Sequence, residues 1–210
     1  MPDTAALPAT RPPTVRARHA ASLVVLRRRS CGEPELLMGM RGAKHRFMPN
    51  RLVFPGGAVD RADLTAPSAT PLAPHTRVLL ERKTNSSLAH GLGIAAAREL
   101  AEETGLSLGA PPALDGLDYL CRAVTPPPGP VRFNARFLVV DAARVQGTLA
   151  GSGELEDLRF VDIEVALALD LAMPTRFVIQ RLLEWMALSE PERIAPRRTA
   201  VLTRRDWRLE

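Results

Sequence analysis

Residues Arg98 to Leu106, "RELAEETGL", crowd four charged side chains into little more than one helical turn and then stop at a glycine. At about 100° per residue, positions 94 to 104 divide into two faces. Ile94, Ala97, Leu100 and Ala101 fall on one side, and Arg98, Glu99, Glu102 and Glu103 on the other, with the small Ala95 and Ala96 leaving room beside the acids. Local energetics oppose this grouping. Glu99 and Glu103 are like charges at i,i+4, which costs about a few tenths of a kcal/mol. Glu102 and Glu103 lie in the last turn, where the helix dipole disfavours an anion by roughly 0.3 to 1 kcal/mol. Arg98, four residues before Glu102, offsets part of this. A broken local rule often marks function, and a divalent cation would turn the repulsion into coordination. A solvated acidic face is the alternative.

The second unusual stretch is "RLVFPGGAVD", residues 51 to 60, a short apolar run entering a Gly-Gly turn and then an acid. Around the two, "SLVVLRRRS" and "PELLMGMRG" read as a strand hairpin, and "LDYLCRAVTP", "VRFNARFLVVDA" and "GELEDLRFVDI" as further strands. "PTRFVIQRLLEWMAL" opens with Pro and carries an apolar helical face. Strands interleaved with helices imply an α/β (α+β) chain with a mixed sheet. The chain is expected to divide into a flexible leader at 1–18, a single domain at 19–190 and a C-terminal tail at 191–210 that could add a short strand or lie over a partner. An insertion at about 61–92, with "HTRVLLERKT" helix-compatible, separates the glycine turn from the acidic helix.

At 210 residues one substantial core is the default. A hydrophobic share of 46% with 24% charged residues fits a globular protein, not a disordered one. No apolar run approaches the roughly 20 residues of a bilayer span. "AASLVVL" is too short for a secretory h-region and runs into Arg27–Arg29, so the chain is expected to be cytoplasmic; an Arg-bearing, acid-poor leader is also compatible with a transit peptide. Cys31 and Cys121 make no disulfide framework and read as buried thiols of a reducing compartment. The formal charge of +5 modestly favours anionic partners.

"RELAEETGL" resembles the core of the Nudix box, whose full form is Gly, five residues, Glu, seven residues, then this core. "FPGG" resembles the opening of the same box. An uninterrupted box would begin at Thr84 and place its first acid at His90, so the pattern is split here. Counting from Gly57 puts the first acidic position at Asp63, with residues of about 64 to 90 inserted in the joining loop. Closure entropy grows only logarithmically with loop length, so such an insertion is cheap. Over roughly residues 20 to 188, the chain looks like the branch that includes the peroxisomal coenzyme A diphosphatases and their bacterial relatives.

The resemblance implies an α/β/α sandwich with a loop-helix-loop metal site, and hydrolysis of a diphosphate joining a nucleoside to another group. It implies Mg²⁺ or Mn²⁺ held by Glu99, Glu102, Glu103 and the Gly56 carbonyl, with Arg98 orienting Glu102 or Glu103. Glu99 is the first choice for general base; Glu154 is the choice outside the box, against a solvated strand residue. Gly57 and the basic loop of Arg41, Lys44, His45 and Arg46 could meet substrate, with solvated surface the alternative for the loop, and Arg204, Arg205 and Arg208 carry the same two readings with more weight on solvated surface. Phe133, Phe137 and Trp185 are expected in the core, and His90 has no role. The expected substrate is coenzyme A or acyl-coenzyme A, with ADP-ribose, NADH or a nucleoside triphosphate as rivals. A Nudix domain serving as a ligand sensor or RNA reader is the other class. Only 4% of residues are aromatic, which argues against a nucleic-acid stacking surface. A membrane role is not expected, and a homodimer is compatible.

Overall fold

A computed structural model describes residues 15–30, 32–42, 50–204 and 206–210. The expectations for residues 1–14, Cys31, Lys44, His45, Arg46 and Arg205 lie outside these residues. In chain order the elements are β1 (Arg18–Arg27), β2 (Glu35–Arg41), β3 (Leu52–Val53), β4 (Gly56–Ala58), a 3-10 turn (Ala62–Leu64), α1 (Pro74–Glu81) and α2 (Ser86–Thr104). There follow β5 (Leu106–Ser107), β6 (Asp118–Val124), β7 (Phe133–Asp141), a second 3-10 turn (Ala142–Arg144), β8 (Gln146–Gly147), β9 (Leu155–Asp162), α3 (Ile163–Ala168), α4 (Met173–Ala187), α5 (Glu190–Ile194), β10 (Ala200–Thr203) and β11 (Asp206–Leu209).

A nine-stranded mixed sheet runs β11-β10-β6-β7-β1-β2-β3, with β4 also beside β1 and β9 beside β2. β1 pairs with β7 in parallel and β6 with β10 in parallel; its other pairings are antiparallel. Period-2 alternation sends Val24, Leu26, Phe137 and Val139 to one face, where they meet Phe177, Val178 and Leu182 of α4. Leu23, Val25, Leu138 and Val140 go to the other, against Leu92, Ala96 and Leu100 of α2 and Leu79 and Leu80 of α1. Helices on both faces make the expected α/β/α sandwich. Among the described residues no helix is long and apolar enough to cross a membrane.

Two expectations change. Residues 191–210 are not a tail outside the domain: α5 leads into β10, which pairs with β6 and carries β11 as the outer strand. Val201 and Leu202 are buried in that arrangement, so the apolar "TAVLT" finds its partner in the sheet. The stretch 61–92 is also more structured than a surface insertion. It holds a 3-10 turn, α1 and the opening turns of α2, which starts at Ser86 because the Asn85 side chain accepts the Leu88 N–H at 2.8 Å.

The two-face wheel also fails for α2. Ala95 and Ala96 are fully buried in the core, and Glu103 is 1% exposed, while Ala101 faces solvent. The reason is tertiary: α2 packs against β1, β4 and the first 3-10 turn together, so burial wraps around most of its circumference. Its end is sharp, with Gly105 in the left-handed region at φ 72° and its N–H donating to Ala101 O.

Candidate metal and active site

The glycine turn and the acidic helix meet. β4 lies along the first half of β1, with Ala20, Ala21 and Ser22 opposite Ala58, Gly57 and Gly56. The flanking bonds, Leu23 N–H to Pro55 O and Val59 N–H to His19 O, set the phase of this ladder. In that phase the N–H and C=O of residue 56 point away from β1. On that side the Gly56 N–H donates to Glu103 Oε2 at 2.8 Å. A Cβ at position 56 would overlap the Ser22 side chain and the Ala21 carbonyl, and one at 57 would overlap the Glu99 carboxylate. Gly56 is therefore required by the close approach of strand to strand, while at Gly57 a side chain would displace the Glu99 carboxylate from the site.

Arg98 is the hub of the acids. Its Nε and Nη2 donate to the two Asp63 oxygens at 3.1 Å each, and Nη2 also donates to Ala58 O at 3.0 Å. Its Nη1 donates to Glu99 Oε1 at 2.8 Å and Glu102 Oε2 at 2.9 Å. These hydrogen bonds and nearby charges push the guanidinium pKa well above its ordinary value, with burial opposing them. Arg98 thus holds Glu99 and Glu102, whereas Glu103 is held by the main chain. Asp63 is 3% exposed and also accepts the Asp60 N–H, so the intervening residues return it to the site.

The glutamates differ sharply in environment. Glu103 has one oxygen on Gly56 and the other, Oε1, buried without a hydrogen-bond partner. Burial pushes its pKa up to about 8; the Gly56 bond pulls down, and the Glu99 and Glu154 charges push up further. Glu99 is also raised, first by burial, with Arg98 opposing. Glu102 stays at the surface on Arg98, its side chain 58% exposed. Among the described residues no three Asp, Glu, His or Cys side chains already converge as a ligand group, and Glu102 is turned toward Arg98.

Glu154 reaches the same region from the start of β9. Its carboxylate lies 3.6 Å from Arg41 Nη2, and its charge raises both Glu99 and Glu103. Arg41 in turn has a buried Nε with no partner. Arg208 is exposed beside Glu210, and His90 bonds to Ala66 O, away from the acids.

Beside Gly56 and Gly57 opens a cavity of about 320 Å³, bounded by Ser22, Arg41, Phe133, Phe137, Met173 and Arg204 among others. Phe133 and Phe137 are therefore not merely core residues; both line this space, and Phe137 packs edge-on to Phe54 at 6.4 Å between centroids. Arg204 borders it too, a position for which the sequence left phosphate contact and solvated surface both open. The period-2 pattern of β7 could have shown that Phe133, Ala135 and Phe137 share one face. Trp185 is buried, as expected, beneath the Arg193 guanidinium.

No protein-family model matches the chain, and no curated protein matches it by sequence. Solved structures do match. A NUDIX hydrolase from Alicyclobacillus acidocaldarius is similar with a TM-score of 0.62 and 24% identity, covering 80% of this chain and 91% of its own. A MutT NUDIX hydrolase from Burkholderia pseudomallei gives 0.53 and 18%, over 80% of this chain and 99% of its own. The NUDIX domain of Shewanella oneidensis NrtR, solved in complex with ADP ribose, gives 0.51 and 16%, over 82% and 90%. At these identities the likeness establishes the fold: the chain has the Nudix fold.

Proposed function

We propose that this chain is a Nudix hydrolase that cleaves the diphosphate linkage of a nucleoside diphosphate derivative, with coenzyme A or acyl-coenzyme A as the leading substrates. The observation that carries the reading is the meeting of the split halves: Gly56 N–H on Glu103, and Asp63 on Arg98. A chain that merely resembled the pattern would have no reason to close it across the residues between.

The donor set fits Mg²⁺ or Mn²⁺. Glu103 presents a buried oxygen without a partner, and burial raises its pKa, with the Glu99 and Glu154 charges adding to the rise. Hard cations take oxygen ligands. Glu99, Glu102, Glu103 and the Gly56 carbonyl would hold the ion, with Glu102 exchanging its Arg98 contact. When bound, the ion would neutralise diphosphate oxygens and acidify the attacking water.

The remaining work falls to the chain's own groups. Arg98 fixes the rotamer of Glu99 by a hydrogen bond anchored on Asp63 and Ala58 O, and holds Glu102 in the metal-free chain. Glu99 is the first candidate to accept the proton of the water, since burial favours its protonated form. Glu154 is the second, being more exposed and balanced by Arg41. Arg41, with an unsatisfied Nε, would donate to a phosphate oxygen. Arg46 is proposed for the same task and is tested separately: Arg46→Ala should raise KM more for a 3′-phosphorylated substrate than for its dephospho analogue, and equal effects would dismiss it.

The deciding experiment is a product assay with Mg²⁺ and Mn²⁺ over coenzyme A, acyl-coenzyme A, NADH, ADP-ribose and nucleoside triphosphates, with Glu103→Gln as the blank. Release of 4′-phosphopantetheine and adenosine 3′,5′-bisphosphate would support the leading substrate. Preference for another compound would move the specificity, and no release from any would favour a ligand-sensing domain.

A further inference from the structure

We propose that the cavity beside Gly56 and Gly57 receives an apolar arm of the diphosphate substrate, an alkyl, acyl or isoprenoid-like group, and not a nucleobase. This rests on the hydrolase reading above and names the chemistry that its substrate must carry.

The hollow is written into the register of the sheet. Ala20 of β1 lies opposite Ala135 of β7, Ala135 opposite Ala123 of β6, and Ala123 opposite Leu202 of β10. Alanines in register on neighbouring strands leave a trough where larger side chains would meet α4. Phe133 and Phe137 stand on the same face of β7, one on either side of Ala135, with their Cα atoms roughly 13 Å apart at the usual rise per residue. The start of α4, at Met173 and Pro174, closes the top. At about 320 Å³ the space lies within the range of small-molecule sites of roughly 300 to 1,000 Å³. The space opens to solvent, which lets a ligand enter it.

The wall chemistry says which occupant. Reading a base takes paired donors and acceptors set against its edge. Among the described residues no Asp, Glu, Asn or Gln lines the cavity, and Ser22 is its one serine. Thr125 Oγ1 already accepts the Phe133 N–H at 3.1 Å, and Thr175 is 4% exposed. Alanine, phenyl, methionine and leucine surface dominates instead. The cations sit where the arm would join its phosphates: Arg41 and Arg204 border the space, and Gly56 and Gly57 connect it with the carboxylates. An apolar arm between the phenyl rings would leave the diphosphate beside Arg41 and Glu103.

The test compares straight-chain alkyl phosphates from ethyl to octyl, binding to the full chain in Mg²⁺ by calorimetry. Affinity should rise by about fourfold for each buried methylene until the hollow fills, with a negative heat-capacity change. Octyl phosphate should bind at least tenfold tighter than ethyl phosphate, and Ala135→Phe, which fills the trough, should cancel that ratio. A flat series on the wild-type chain would overturn the proposal, and this arm needs no variant to fold. Turnover separates the two readings. Equal kcat/KM for a diphosphate substrate with and without an alkyl arm overturns this inference and leaves the hydrolase. A chain-length gain in binding with no turnover of any diphosphate removes the hydrolase and leaves the ligand class of the hollow standing.

Discussion

Glu102 and Glu103 are adjacent in sequence and identical in type, yet the fold treats them oppositely. Glu102 faces water and shares the Arg98 guanidinium; Glu103 is buried, touches only a main-chain N–H, and keeps an oxygen with no partner. A surface ion pair is worth about 0 to 1 kcal/mol, whereas a buried carboxylate without a cation is destabilising. The contrast teaches that α2 carries its cost at one position. Glu103 is the residue whose buried charge calls for a proton or a cation.

The largest effect should come from breaking that position. Glu103→Gln is expected to lower kcat by roughly three orders of magnitude in steady-state assays with Mg²⁺. The same variant without metal should unfold at no lower temperature than wild type at pH 8, because an amide carries no buried charge. Full activity in Glu103→Gln would remove the residue from the chemistry. Next in size is Arg98→Ala. Asp63 would be left buried without its counter-ion, a loss of about 3 to 5 kcal/mol read from denaturant midpoints. A cost below about 1 kcal/mol would show Arg98 to be a surface pair only. Arg98→Lys should recover part of the stability but not the fork, since an ammonium cannot hold Asp63, Glu99 and Glu102 together.

Much of this site was legible in the chain before any coordinates. The nine-residue core pointed to the acids, and the box spacing counted from Gly57 arrived at Asp63, which the fold pairs with Arg98. The helical wheel misassigned Ala95, Ala96 and Ala101, because a helix wrapped on several sides no longer has one wet face. The sequence allows the tail a short strand but does not say where: β10 pairs in parallel with β6, some eighty residues earlier, and carries β11 as its hairpin partner, and no local periodicity reports a long-range parallel pairing. The cavity was invisible too. It arises from alanines that are ordinary along each strand and adjacent only across strands.

A middle-sized effect follows from the raised pKa of Glu103. Its ordinary value is 4.5, and in the folded chain it is pushed up to about 8. Between these values the folded state keeps a proton that the unfolded chain has released, so stability falls as pH rises through that window. Metal-free protein in EDTA should therefore show a Tm that declines from about pH 5 to pH 8, and Glu103→Gln should flatten the decline. Saturating Mg²⁺ should abolish or reverse it, because the cation competes with the proton and binds the folded state. A Tm that is independent of pH without metal would contradict the account of Glu103.

The smallest effect sharpens the comparison most. Without metal, Glu102→Gln removes one exposed i,i+4 pair with Arg98, worth about 0.3 to 0.5 kcal/mol, close to the resolution of a denaturation curve. If Glu102 turns to the cation on loading, the same substitution should raise the Mg²⁺ concentration for half-maximal activity by about tenfold or more, leaving substrate KM at saturating metal less affected. If it stays with Arg98, metal affinity should be unchanged, and the pair of neighbours would divide cleanly, with Glu103 inside the coordination sphere and Glu102 outside it. Titrating activity against Mg²⁺ for Glu102→Gln and wild type side by side distinguishes the cases, because the stability change is too small to disguise either outcome.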